Sequence, residues 1–175
     1  MKIFLFFILL VPGIMVGQSK SFAWQDFSFG SPALHAKMPG QLIKQQTKLP
    51  PKAQEQVSGY EAHYLKDDHN GVVITVMYAL YASVVADAKG AIDGTVGQWE
   101  ATGTKVAILS TTDTKISGQK AIAQRGKLII GGQEHDYMDV VIVNGARLWQ
   151  VIVMTRASDA SLKAVMQKIT DSITF

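Results

Sequence analysis

Cysteine is absent from the 175-residue chain. This excludes disulfides, cysteine catalysis and the lipid-carrying cysteine of a bacterial lipoprotein. A domain without disulfides depends on its hydrophobic core, and a single domain of about 150 residues buries enough surface to be stable. The sequence therefore predicts one domain that is held together by apolar packing.

An excess of charge of one sign is lacking as well. The chain has 17 basic and 14 acidic residues, a formal charge of +3. Lys2 and Lys20 lie in the N-terminal leader described below, and without them the balance is +1. Proteins that bind nucleic acid concentrate Lys and Arg in a patch or a stripe, whereas here these residues are spread along the chain. Nucleic acid is therefore not expected as a partner.

Catalytic and cofactor motifs are missing too. The chain contains no Gly-x-Ser-x-Gly, no nucleotide-binding Gly-x4-Gly-Lys-Ser/Thr and no pair of histidines at the spacing of a helical zinc site. We therefore expect no catalytic residue, no cofactor and no metal site. One alternative stays open, because Asp67-Asp68-His69 and Glu134-His135-Asp136 both place carboxylates beside an imidazole and could converge on a metal ion.

The first residues have the pattern of a secretory leader. Lys2 gives a basic start, and residues 3–16 form an uncharged apolar run. This run is shorter than the roughly 20 apolar residues that a membrane-spanning helix needs. Ser21-Phe22-Ala23 offers the small residues that signal peptidase requires, so we expect a signal peptide over residues 1–23, with cleavage after Gly17 as the second candidate. The mature protein is then periplasmic or secreted and has no permanent membrane anchor.

Strands are predicted wherever apolar residues alternate between turn residues. Residues 60–65 alternate with period two, and a polar turn at 67–71 leads into a second apolar run. Asn144-Gly145 lies between two similar runs. Two more strands are predicted at 105–116 and 119–130.

Two helices are predicted from apolar residues at helical spacing. Asp87 is a suitable N-cap for a helix over residues 87–101. Glycines in this helix each cost about 1 kcal/mol relative to Ala, so we expect close packing on the sheet to compensate, with a binding face as the alternative. They are Gly90, Gly94 and Gly97. Ser158 is expected to cap the second helix, whose apolar stripe is Leu162, Val165, Met166, Ile169 and Ile173.

The strand at 148–155 is apolar on both faces, so both faces of its sheet should be covered. The two helices and residues 24–51 are available as cover, and residues 52–58 are expected to form a connecting loop. The predicted fold is an α+β arrangement over residues 24–175. It is a three-layer α/β/α sandwich with a largely antiparallel central sheet.

This order of elements resembles the PsbP-like superfamily. The resemblance lies in Ile116-Ser117-Gly118-Gln119 between two strands, in Arg147-Leu148-Trp149 within a strand and in the terminal Asp171-Ser172-Ile173-Thr174-Phe175. It covers nearly all of residues 24–175. The superfamily includes the extrinsic photosystem protein PsbP, a nuclear Ran-release factor and exported bacterial proteins such as DcrB. The resemblance implies a binding or assembly module rather than an enzyme, and it carries over no catalytic residue.

We therefore expect an exported, non-enzymatic module that binds a protein partner in the cell envelope. A small-ligand or metal-binding periplasmic protein is the alternative, and a hydrolase is the less favoured one. Because the charges nearly balance, the contact should rely on apolar and aromatic surface. The candidate partner surface consists of Tyr60, Tyr64, Asp67, Asp68 and His69, although tyrosines at strand spacing also form ordinary cross-strand pairs and acidic turns are commonly just solvated.

Overall fold

The computed structural model describes residues 21–46, 49 and 51–175. The expected signal peptide lies outside these residues except for its last three. Within the described part, the chain forms nine strands and three helices. They are β1 (Gln25–Phe29), β2 (Leu34–Met38), β3 (Ile43–Lys44), α1 (Pro51–Gln56), β4 (Val57–Asp67), β5 (Val72–Tyr81), α2 (Ala88–Ala101), β6 (Lys105–Ile116), β7 (Gln119–Ile130), β8 (Gln133–Asn144), β9 (Arg147–Arg156) and α3 (Ser161–Asp171).

Seven of the strands form one antiparallel sheet in the order β3-β4-β5-β9-β8-β7-β6. β9 lies between β5 and β8, so it joins the part of the sheet formed by β3, β4 and β5 to the part formed by β8, β7 and β6. Tight turns connect the hairpins through residues with positive φ, among them Gly71 at 72° and Gly145 at 59°. The predicted hairpins are confirmed, and β6 and β7 have the predicted bounds.

One face of the sheet is covered by α3 and by the β1–β2 hairpin. The apolar stripe of α3 is buried, as predicted, and Ile173 just beyond the helix is buried with it. The stripe packs with Trp149 of the sheet and with Leu34 and Met38 of the hairpin, and these three side chains are fully buried. An isolated bridge between His35 and Thr174 ties the residues after α3 to the hairpin.

The opposite face of the sheet is covered by α2. Asp87 caps this helix, as predicted, by accepting the backbone N–H of Lys89 at 3.0 Å. Ala88 and Ile92 are its buried residues, and they pack with Val141 and other apolar residues of the sheet. Since helices lie on both faces of an antiparallel sheet, the predicted three-layer α/β/α sandwich is confirmed.

Three local predictions are wrong. The expected loop at residues 52–58 instead contains most of α1 and the start of β4, because a proline such as Pro51 is favourable at the first position of a helix. α3 begins at Ser161 rather than after Ser158, since the Asp159 carboxylate accepts the Ser161 N–H at 3.0 Å. The glycines of α2 do not approach the sheet, because they lie on the side of the helix away from its buried residues and are exposed.

Candidate binding surface

The two covering layers are offset across the sheet. α2 packs mainly against β6, β7 and β8, whereas α3 packs mainly against β9 and β2. Each face of the sheet therefore extends beyond its helix at one end. On the α2 face, this leaves a surface that we call the tyrosine end, formed by Ile43, Tyr60, Tyr64, Thr75 and Met77. On the α3 face, it leaves the threonine end, formed by Ser110, Thr112 and Thr114 of β6.

The tyrosine end is built by the strand register. Ile43 of β3 pairs with Tyr64 of β4, and Tyr64 pairs with Thr75 of β5, so the three side chains form a row across the sheet. Tyr60 lies on the same face four residues before Tyr64 on β4, with the buried Ala62 between the two tyrosines. Ile43 is 59% exposed, and both tyrosines are partly exposed.

The tyrosines supply an apolar ring and a neutral hydroxyl. Burial raises the pKa of Tyr60, so its phenol stays protonated at physiological pH and can donate a hydrogen bond. Tyrosine and methionine are enriched at protein–protein contacts, where an apolar ring and a polar tip are both useful. The side chains of the tyrosine end therefore have the composition of a contact surface.

The acidic residues of the candidate surface lie apart from the tyrosines, in the β4–β5 turn. The Asp67 carboxylate accepts the backbone N–H of Asn70 at 2.9 Å and its side-chain amide at 2.6 Å, and these bonds lower the pKa of Asp67. Asp68 forms an ion pair with Lys66 at 3.1 Å, and His69 is exposed. The hydrogen bonds of Asp67 stabilise the turn itself, as is usual for Asp at such positions.

The threonine end forms a groove beside α3. Ser110, Thr112 and Thr114 line a cavity of about 480 Å³ together with Thr170 of the helix. Arg125 lines this cavity and donates a 2.8 Å hydrogen bond to Gln167 of α3. Hydroxyl side chains of β6 and of α3 therefore meet in this groove.

Sequence analysis missed a histidine–carboxylate pair on β4. Glu61 and His63 lie two residues apart and therefore share a face, with 2.6 Å between Oε1 and Nε2. Burial acts to raise the pKa of Glu61, but hydrogen bonds from His63 and from the Gly30 N–H outweigh it, and the pKa is lowered. The ring of Phe27 packs edge-on against His63 at 5.0 Å. The pair thus lies beneath the β1–β2 hairpin, on the face opposite the tyrosine end.

The two acidic turns that could have converged on a metal ion lie at the same end of the sheet. Arg156 separates them, since it pairs with His135 on one side and donates its backbone N–H to the Gly71 carbonyl at 3.1 Å on the other. Among the residues that the structure describes, no group of three or more His, Cys, Asp or Glu side chains could hold a metal ion. The expected alternative of a shared metal site therefore gains no support.

A buried polar cluster beneath α2 was also missed. Asp139 is 1% exposed, and the Gln150 amide nitrogen lies 2.9 and 2.7 Å from its two carboxylate oxygens and 2.9 Å from Thr95 Oγ1 of α2. Burial raises the pKa of Asp139 to about 7. The Tyr137 hydroxyl donates to Gln124 at 2.8 Å, and burial together with the Asp139 charge raises the pKa of Tyr137 to about 12. The sequence signal for this cluster was the carboxylate of Asp139 within the otherwise apolar run of residues 137–143.

Comparison with known proteins identifies a fold but not a sequence family. No family model matches the chain, and no curated protein is significantly similar to it. Similar solved structures include the cyanobacterial PsbP, CyanoP, from Synechocystis sp. PCC 6803, with a TM-score of 0.61 and 13% identity over 93% of this chain and 97% of that one. PA94 of Pseudomonas aeruginosa, of unknown function, has a TM-score of 0.43 and 14% identity over 76% of this chain and 95% of its own.

A third solved structure is LpqN of Mycobacterium tuberculosis, which is involved in cell envelope biogenesis. It has a TM-score of 0.43 and 11% identity over 86% of this chain and 77% of its own. Among the described residues, none of the helices has the length and apolar character needed to cross a membrane. The similarity to CyanoP extends over nearly the whole of both chains. The chain therefore has the PsbP-like fold that the order of its elements suggests.

Proposed function

We propose that the chain is an exported, non-enzymatic protein of the cell envelope that binds a protein partner through the tyrosine end of its sheet. The observation that carries this proposal is the position of Tyr60 and Tyr64 beside the exposed Ile43, on a part of the sheet that extends beyond α2. The partner should bring an apolar surface of its own, because the side chains it meets are mainly apolar and aromatic.

The shape of this surface favours a protein over a small molecule. Small ligands are bound in concave pockets that surround most of their surface, whereas the tyrosine end is one face of a β-sheet. The cavity of about 480 Å³ lies beside α3 instead, where Thr112 and Arg125 line it. The Glu61–His63 pair lies on the opposite face and beneath the hairpin, so it is not part of this surface.

Export is the second part of the proposal and rests on the leader-like first residues. The side chain of Phe22 packs against the main core, and the Lys168 ammonium lies 4.0 Å from the ring centroid of Trp24. Cleavage after Ala23 would remove Phe22 from the mature protein, whereas cleavage after Gly17 would keep it. The packing of Phe22 thus supports the Gly17 site. Cell fractionation with N-terminal sequencing tests this, and uncut protein in the membrane pellet would contradict export.

The contact surface can be tested by photocrosslinking in intact cells. A benzoylphenylalanine at position 64 should give a crosslinked product, because it replaces a tyrosine of the contact surface. The same residue at position 112 is the matched control, since Thr112 is an exposed strand residue at the other open end of the sheet. Product from position 112 alone, or from neither position, would contradict the proposal.

Loss of binding must also be separated from loss of folding. The double variant Tyr60→Ser with Tyr64→Ser should abolish crosslinking from a probe at position 43 while the circular dichroism spectrum stays unchanged. The matched variant Thr112→Ala with Thr114→Ala should leave crosslinking intact. Turnover of an ester, phosphate or peptide substrate that His63→Gln abolishes without unfolding the domain would contradict the non-enzymatic assignment.

A further inference from the structure

α2 buries fewer apolar side chains than α3 does. Its buried residues are Ala88 and Ile92, and Trp99 adds an edge-on ring contact to Tyr137 at 5.0 Å. Gly94 and Gly97 further weaken the helix, because glycine disfavours the helical state and a Cβ added at either position would meet nothing within 4 Å. Most of the stability of a short protein helix comes from the packing of its apolar face, and α2 has little of it.

The sheet beneath α2 is polar where the helix crosses its centre. Gln150 connects the Asp139 carboxylate to Thr95 of the helix, so one amide group links both layers. The neighbours of Asp139 that face it are neutral: Gln150 from β9, Gln124 from β7 and Thr95 from α2. Tyr137 on β8 is its titratable neighbour, and it stays protonated because its pKa is raised to about 12.

The charge of Asp139 is therefore poorly compensated when α2 is closed. Burial raises the pKa of this carboxyl from its ordinary value of 3.8 to about 7, against the opposing effect of the Gln150 hydrogen bond. Contact with water would return the pKa of Asp139 to its ordinary value. β8 is bonded to strands on both sides along its backbone, whereas α2 is attached to the sheet through side chains, so separation of the helix is the easier way for water to reach Asp139.

We propose that α2 is a proton-controlled cover, which lies firmly on the sheet while Asp139 is protonated and opens more often when Asp139 ionises. Separation would expose the α2 face of β7, β8 and β9, including the apolar Val141 and Leu148. This inference is independent of the proposed function, because the tyrosine end lies beyond α2 and stays exposed in either state.

Hydrogen exchange of the whole protein tests this inference. After correction for the intrinsic exchange rate, amides of α2 should be less protected than those of α3 at every pH. Their protection should also fall about tenfold between pH 6 and pH 8, as expected for a carboxyl whose pKa drops from about 7 to 3.8 on opening. If α2 and α3 exchange with equal protection, both open only by global unfolding and the inference is overturned.

Two variants assign the effect to one carboxyl. In Asp139→Asn, α2 protection should lose its pH dependence between pH 6 and pH 8. In the control Asp113→Asn, which alters an exposed carboxylate on β6, the tenfold fall should remain. A pH dependence that survives in Asp139→Asn would overturn the inference, and the comparison of α2 with α3 in the unmodified protein remains decisive if that variant folds poorly.

Discussion

α3 and α2 cover opposite faces of one sheet in different ways. α3 buries Leu162, Val165, Met166 and Ile169 along one stripe, and the β1–β2 hairpin packs beside it. α2 is longer, at 14 residues against 11, yet its buried residues are Ala88 and Ile92. Beneath α3 lies an apolar surface, whereas beneath α2 lies a buried carboxyl with its amide and hydroxyl neighbours.

This difference shows that a covering layer can be either permanent or conditional. Apolar burial does not depend on pH, so the attachment of α3 should be the same under all conditions in which the domain folds. The polar surface beneath α2 contains an ionisable group, so the attachment of α2 depends on the protonation state of that group. The same sheet thus carries a structural layer on one face and a pH-sensitive layer on the other.

The largest expected effect comes from truncating the apolar stripe of α3. Ile169 is fully buried, so Ile169→Ala should lower the free energy of unfolding by about 2 to 5 kcal/mol through lost burial and the cavity left behind. The matched change on α2, Val96→Ala, should cost about 1 kcal/mol or less, since Val96 is partly exposed. Urea unfolding measures both, and equal losses would remove the contrast between the two layers.

A smaller effect is expected from the buried carboxyl. The pKa of Asp139 is about 7 in the folded state and 3.8 when exposed, so the folded state binds the proton more tightly. The free energy of unfolding should therefore fall as pH rises from about 4 to 7, and between pH 5 and pH 8 the loss should be about 2 to 3 kcal/mol. Urea unfolding of Asp139→Asn should show no such loss.

The pH range matters because other carboxyls act in the opposite direction. The pKa values of Glu61 and Asp67 are lowered in the folded state, so they stabilise it above their ordinary values and lose that contribution in acid. Between pH 5 and pH 8 both are already ionised, and the slope then reports on Asp139. A slope that persists unchanged in Asp139→Asn would mean that another group causes it.

Local features of the fold were predictable from the sequence. The bounds of β6 and β7 follow from the turn residues Ser117-Gly118 and Gly131-Gly132, and the stripe of α3 follows from helical spacing, because both depend only on neighbours along the chain. Glu61 and His63 could have been paired by the same reasoning, since residues two apart on a strand share a face. The period-two alternation of residues 60–65 likewise places Tyr60 and Tyr64 on one face.

The position of one layer over another was not predictable. Gln150 lies 55 residues from Thr95 in sequence, and the two meet only because β9 inserts between β5 and β8 beneath α2. Whether the tyrosine face is open or covered depends on where α2 crosses the sheet, which is set by packing across the whole domain. Sequence patterns near Tyr64 contain no information about that position.

The smallest expected effect concerns the glycines of α2. Gly94 and Gly97 lie within the helix, do not have positive φ and would place an added Cβ in open space. Replacing each with Ala should therefore raise the free energy of unfolding by about 0.5 to 1 kcal/mol, through the better helix propensity of Ala and its smaller loss of backbone entropy. Gly90 is unsuitable for this test, because a Cβ there would meet the carboxylate of Asp87, which caps the helix.

The control for these substitutions is a glycine that the fold requires. A Cβ on Gly126 of β7 would collide with the carbonyl oxygen of Ala107 and with the ring of Tyr137, so Gly126→Ala should destabilise the domain. If Gly94→Ala and Gly97→Ala stabilise the domain and also raise the exchange protection of α2 at pH 8, then glycine content and the Asp139 charge together weaken this layer. If they leave the protection of α2 unchanged, the low protection of α2 comes from the polar surface around Asp139 alone, and the glycines of the helix do not contribute to it.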